Sequence, residues 1–337
     1  MDENNTIKIE RGKVVDAVRE LPVPHRETIL ALYDLAVEKR LSLDEVAEGI
    51  GMDATTVHKV FSGTHNAGKD KFCARAKRFL EISREREGTE PLAFVETALS
   101  KKIWAAVERA RRYNRITFVF GESQIGKTTA LDAYARENKE TTVLVRMPSS
   151  PTLRSFVHRL SRQLGAPRAM SHFDRREFIL EKLRRNDVLI VDEAHQAIMT
   201  ETRINVTHAK IFEFIREIHD TTQCGVTLVA TEVFRRELLR DKEFAGVMSQ
   251  TMRRELYAYT APKVPTESDL ARFAAAYGLP AAEGEAKEAQ KDVIEKDRLG
   301  VWLTVLRMAA GIATKKGVPM TWDHVLLAKS ERERLKQ

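Results

Sequence analysis

Eight consecutive residues, Gly121-Glu122-Ser123-Gln124-Ile125-Gly126-Lys127-Thr128, fit the spacing GxxxxGK(S/T). A loop of this kind can wrap its backbone N–H groups around the phosphates of a nucleoside triphosphate. Gly121 and Gly126 permit backbone angles and a close approach that a side chain would block. Lys127 can place its charge on the β- and γ-phosphates, Thr128 can offer a hydroxyl to Mg2+, and Thr129 continues into the positive end of a helix. The whole run from Gly121 to Thr129 is expected to cradle ATP. Further on, the apolar residues Val188-Leu189-Ile190-Val191 lead into Asp192-Glu193. A buried strand ending there would deliver Asp192 beside the loop to share the Mg2+, and Glu193 to activate water against the γ-phosphate.

Asp192-Glu193-Ala194-His195 also spells the DEAH box of a helicase family. Such a helicase needs a second nucleotide-facing domain with an arginine-rich QxxGRxGR-like motif, and nothing after Thr231 resembles one. His195 therefore reads as a hydrogen-bonding or nucleotide-sensing residue. Thr231 closes another apolar run and offers a hydroxyl where a γ-phosphate sensor could stand, although a strand-end Thr can equally be structural. Arg253-Arg254 precede a further apolar run, where an arginine finger from a neighbouring subunit could stabilise transition-state charge. A solvated or DNA-facing pair is the other reading, and Arg235, Arg236 and Arg240 compete for the finger role.

The elements that must position these groups follow from periodicity. Short β-branched or apolar runs at 116–120, 142–145, 188–191, 226–229 and 256–259 alternate with helical segments. That alternation predicts a parallel α/β sheet. After Pro262 and Pro265 the spacing turns helical, over 269–276, 285–296, 301–313 and 322–329. Residues 14–86 show helical spacing only, followed by a charged, helix-prone connector over 81–90 that ends at Pro91. The expected organisation is a helix-turn-helix domain and connector over 1–90, an α/β P-loop core over 91–262 and a helical lid over 263–337.

Within the first domain, 42–63 has the grammar of a helix-turn-helix. Ser42 with Glu45 makes a capping box, Ala47, Ile50 and Val57 pack two helices, Gly51 turns the chain and Asp53 caps the second helix. Thr55, Thr56, His58 and Lys59 would then face outward, suited to phosphates or base edges. Lys69, Lys71, Arg75, Lys77 and Arg78 could clamp a backbone; a protein-binding helical domain is the alternative.

The chain of 337 residues carries a net charge of +7, too little to name a partner until it is resolved by position. Residues 1–90 are net −2 and residues 91–337 net +9, with runs of +5 at 101–115 and +6 at 152–185. Cys73 and Cys224 match no zinc or CxxC spacing, which points to a reducing cytoplasm. No stretch approaches the roughly 18 apolar residues of a membrane span, so a soluble, unprocessed protein without a membrane partner is expected.

A repressor-like helix-turn-helix, a Glu96-Thr97 lead-in, the phosphate loop, Asp192-Glu193 and then a helical lid follow one another in a specific order. Over essentially the whole chain this order resembles the AAA+ ATPases of DNA transposition, the family of the phage Mu target-selection protein MuB and its bacterial homologues. The resemblance implies an AAA+ core, ATP-dependent polymerisation as a filament or ring on double-stranded DNA of largely arbitrary sequence, recruitment of a transposase, and disassembly through ATP hydrolysis. It also implies DNA contacts from the segment after the second strand, here 148–165, with Thr152, Arg154, Arg159 and Arg162 as candidates. The lid departs from the pattern. Gly300-Val301-Trp302 stands where a sensor-two GxR is expected, leaving Arg298 or Arg307 as substitutes. Two other readings compete: a helix-turn-helix regulator switched by ATP, and an initiator-like helicase loader. Glu193 favours hydrolysis over pure switching, and a helix-turn-helix placed first argues against the loader.

Overall fold

The structure, a computed structural model, describes residues 7, 9–64, 68–85, 93–149, 151–197, 206–240 and 255–335. The chain divides into two compact units, Met1–Glu90 and Pro91–Gln337.

The first unit is built from helices α1 (Arg11–Val18), α2 (Val23–Glu38), α3 (Leu43–Ile50), α4 (Ala54–Phe61) and α5 (Lys69–Glu85). Its local signals act as their residue types dictate. The Ser42 hydroxyl accepts from the Glu45 N–H while the Glu45 carboxylate accepts from the Ser42 N–H, closing the box that starts α3. Gly51, at φ 65°, ends α3, and the Asp53 carboxylate accepts from the Thr56 N–H to start α4. Val46, Ile50, Val57 and Phe61 are buried together with Val18, Ile29 and Leu32 of the first two helices. The predicted connector is helical as far as Glu85, because Phe72, Cys73, Ala76 and Leu80 fall on one face of α5 and join that core.

The second unit holds a five-stranded parallel sheet among the described residues. Its strands are β1 (Ile116–Phe120), β2 (Thr142–Arg146), β3 (Val188–Asp192), β4 (Gly225–Ala230) and β5 (Glu255–Thr260). They lie in the order β2-β3-β4-β1-β5. Each strand prediction is met to within a residue or two. Because side chains alternate along a strand, Ile116, Phe118 and Phe120 enter one core while Val119 enters the other. The first core is covered by α8 (Leu153–Gln163), α9 (His172–Lys182) and α10 (Val206–Thr222). The second is covered by α6 (Ala98–Tyr113) and α7 (Lys127–Glu137). Between β1 and β4 the buried hydroxyls of Thr117 and Thr227 meet at 3.0 Å, satisfying each other where no water reaches.

After α11 (Glu232–Arg240) and β5 come α12 (Glu267–Ala276), α13 (Gly284–Lys316) and α14 (Trp322–Arg334). Spacing predicts separate helices over 285–296 and 301–313. The structure holds two helical segments there, together labelled α13, which meet at the non-helical Arg298, φ 74° and ψ 173°. Trp302, Val305, Leu306 and Ala309 after the break pack with Phe273 and Val325 into a core of their own. Among the described residues no helix is long and apolar enough to cross a membrane.

Candidate active site

β1 delivers the phosphate loop to the carboxyl edge of the sheet. The Gly121 N–H donates to the Ala230 carbonyl at the end of β4 (3.2 Å). A Cβ on Gly121 would lie 2.7 Å from Ile125 Cδ1 and 2.9 Å from Ala261 Cβ, so only glycine lets the loop lie down here. Gly126 opens α7 at φ 99°, and Gln124 adopts φ 63°, a conformation unusual for a side-chain-bearing residue. The Lys127 side chain is buried, and its ammonium donates to the carbonyls of Gly121 (2.8 Å) and Glu122 (2.6 Å). Burial pulls that ammonium below its ordinary pKa, while the carboxylates of Asp192, Glu193 and Glu122 pull it back up.

Opposite the loop, β3 ends on Asp192, only 1% exposed. The Thr128 hydroxyl donates to Asp192 Oδ2 at 2.7 Å, joining the two sequence motifs. Among the described residues no cluster of three His, Cys, Asp or Glu side chains could hold a metal by itself. One hydroxyl and one carboxylate are the hard oxygen donors from which Mg2+ is commonly bound, with phosphate and water completing its shell, so the residues present fit that ion. Arg146, paired in register with Asp192 across β2 and β3, brings its Nε to 3.6 Å from the same Oδ2. Reading the sequence does not find this arginine, because strand pairing leaves no mark on spacing.

Glu193 turns out of the strand at φ 55°, its N–H donating to Asp192 Oδ1 (2.9 Å). Its carboxylate meets His195 Nε2 at 3.2 Å. His195 sits in the short 3-10 turn Ala194–Ala197, is itself buried, and its Nδ1 has no hydrogen-bond partner among the described residues. Burial lowers its pKa, with Glu193 opposing the shift.

Thr231 directly follows β4, beside β1 in the sheet, but its hydroxyl accepts from the Phe234 N–H (3.4 Å) and so begins α11. Arg253 and Arg254 lie outside the described residues. Of their competitors, Arg235 pairs with Glu232 at 3.2 Å and Arg236 is exposed; the Arg240 side chain is also outside the description.

Sequence reading also misses a cavity of about 110 Å3 that shares Gly126 and Thr129 with the loop. Phe94, Phe273, Tyr277, Leu299 and Arg307 line it, and its size and apolar, aromatic walls suit the flat ring of a nucleobase. These residues come from three distant segments, which no motif connects. The two arginines left open by the sequence thereby part. Arg307 lies in this cavity, and Arg298 bonds the Glu122 carboxylate of the loop.

The basic candidates after β2 also separate. Thr152 spends its hydroxyl capping α8 through the Ser155 N–H (3.1 Å). Arg159 donates to the Arg146 carbonyl (3.0 Å) and Arg162 to the Ala166 carbonyl (2.9 Å), while Arg154 is exposed. A cleft of about 610 Å3 gathers Thr152, Arg154, His158, Arg159, Arg168 and His172 with the buried Arg175; among the described residues no acidic side chain lines it, and Arg162 lies outside it. In the first unit, Thr55, His58 and Lys59 are exposed on α4, whereas the Thr56 N–H and hydroxyl are both bonded to Asp53.

Residues 110–239 match the model of the AAA domain family. The chain is 24% identical to the ATP-dependent target DNA activator B of Escherichia phage Mu, over 87% of this chain and 91% of the relative. The protein of the same description from Escherichia phage D108 is similar to the same extent. The Mu-like prophage FluMu DNA transposition protein B of Haemophilus influenzae is 27% identical over 47% of this chain and 56% of its own length. Among solved structures, the RuvB Holliday junction branch migration motor of Thermotoga maritima matches 72% of each chain at 16% identity and a TM-score of 0.43.

Proposed function

We propose that this chain, a relative of the phage target DNA activators B with an AAA domain over residues 110–239, is an ATPase of DNA transposition. In this reading it self-associates with ATP as a filament or ring on double-stranded DNA, largely without regard to sequence, and there recruits or activates a transposase. Hydrolysis of ATP then disassembles it. The observation that carries the catalytic part is the 2.7 Å contact of Thr128 with Asp192, with Glu193 next in the chain. It brings the phosphate loop, a pair of Mg2+ donors and a general base to one edge of the sheet.

The loop N–H groups from Gly121 to Thr129 and the Lys127 ammonium would hold the β- and γ-phosphates, and the start of α7 adds its positive end. Thr128 and Asp192 are the residues that would hold Mg2+, which when bound would neutralise charge on the phosphate oxygens. Glu193 orients water and takes its proton once its carboxylate leaves His195. Thr231 is assigned the report on the γ-phosphate, and Arg253 or Arg254 of a neighbouring copy is assigned the finger. DNA contacts are assigned separately in each unit: in the second to the Arg154 cleft, with Thr152 and Arg159 lining it and Arg162 nearby, and in the first to α4 at Thr55, His58 and Lys59, with Thr56 beside them.

The test is Glu193→Gln. Nucleotide binding should persist while turnover falls by about 10²-fold or more, the usual contribution of a positioned base; unchanged turnover removes Glu193 from that role. Electron microscopy of the same variant, with ATP and DNA of arbitrary sequence, should show persistent assemblies. The exposed face of α4 supports a second reading, an ATP-switched regulator, for which discrete complexes on one operator would be seen instead.

A further inference from the structure

The second residue of the phosphate loop is an acid, an unfavourable neighbour for a triphosphate. Its charge is answered from outside the loop. Arg298 brings Nε to 2.7 Å and Nη2 to 2.6 Å from Glu122 Oε2, and Lys263 brings Nζ to 2.7 Å from Oε1. These cations hold the Glu122 carboxyl below its usual pKa, Lys263 first and Arg298 with it. Arg298 reaches the loop because α13 breaks at this residue, in a backbone conformation that favours glycine. Two residues on, the Gly300 N–H donates to the Gln124 carbonyl (2.9 Å), and a Cβ on Gly300 would lie 3.2 Å from Gln124 Cβ. Between them Leu299 reaches toward Gly126. Three successive residues at the break in α13 thus engage the part of the loop that must meet the phosphates.

We propose that Arg298 and Glu122 form an ion-pair latch that couples nucleotide occupancy of the loop to the helix following the break, with Arg298 and Lys263 as positioning residues that screen Glu122 from the phosphates. This rests on the nucleotide-site reading above. A triphosphate entering beside Glu122 competes for the same cations, so the pair and the helix bonded through it must readjust. The Gly300–Gln124 hydrogen bond passes any shift of the loop directly into the residues after the break.

The experiment titrates fluorescent ATP and ADP analogues into the full chain and follows hydrogen–deuterium exchange over 284–316. In the parent chain nucleotide should slow exchange in 299–316. Arg298→Gln should weaken ATP about 10-fold, within the usual range of couplings, because Glu122 loses half its screening. Adding Glu122→Gln to that variant should restore affinity, since no carboxylate remains to screen, but leave 299–316 less protected by nucleotide than in the parent, with only the Gly300–Gln124 bond still joining them to the loop. Arg298→Lys should keep much of the parent affinity. If the double variant binds as weakly as Arg298→Gln, or if Glu122→Gln alone keeps full nucleotide-dependent protection, the latch is overturned while the nucleotide site stands. If the parent chain binds nucleotide no better than Lys127→Ala, the site reading falls and the latch with it.

Discussion

Glu193, the base of the proposed reaction, is held by His195. For Nε2 to donate to the Glu193 carboxyl at 3.2 Å, a neutral ring must carry its proton there, leaving Nδ1 a buried acceptor with no partner among the described residues. Burial also lowers the pKa of His195. A depressed histidine binds protons more weakly folded than unfolded. Stability is therefore undiminished above the ordinary value of about 6.5 and declines as pH falls from there toward the lower folded value. One such proton changes stability by at most about 1.4 kcal/mol per pH unit. His195→Asn should flatten the decline in urea unfolding measured below that pH, and an unaltered slope would assign the decline to other groups.

At the scale of elements, the parallel sheet requires α6 to lie close over β4. Gly225 makes that possible, since a Cβ there would fall 2.4 Å from the Ala110 carbonyl oxygen and 2.7 Å from the Arg111 nitrogen. Both are backbone atoms of α6, so the helix itself would have to move. Gly225→Ala should destabilise the second unit by about 1–3 kcal/mol, as overpacking does elsewhere, measured as a shift in denaturant midpoint. A midpoint within error of the parent would mean that α6 has room to shift. Gly49 of α3 differs, because there the obstacle is the ring of Phe79, a side chain that can turn.

For the whole molecule, charge is the property that spacing alone leaves ambiguous. The net +7 resolves into −2 over residues 1–90 and +9 over 91–337, and part of that excess converges in the cleft of Arg154, Arg159 and Arg168. Binding that neutralises backbone phosphates releases counterions and weakens steeply with salt. Arg154→Ala should lower affinity for all DNA sequences alike and reduce the log–log salt slope by about 0.9, one phosphate contact. Arg162→Ala should do less, because its guanidinium is held by the Ala166 carbonyl outside the cleft. Fluorescence anisotropy between low and moderate salt measures both, and an Arg154→Ala slope equal to that of the parent would remove this cleft from the DNA surface.

What the sequence by itself determined is local. Ser42 with Glu45, Asp53, the glycines of the phosphate loop and the five apolar runs each act through hydrogen bonds or side-chain periodicity within a few residues, so their structure is written where they stand. The order of the strands is not local. Placing β4 between β1 and β3 sets Asp192 against Thr128, 64 residues away, and placing β2 beside β3 sets Arg146 against Asp192. The base-sized cavity draws on four segments, and Arg298, where the two helices expected from periodicity meet, contacts Glu122 across 176 residues. Such contacts depend on how whole elements pack. Many residue patterns satisfy the same periodicity, and only the closed tertiary structure selects which side chains meet.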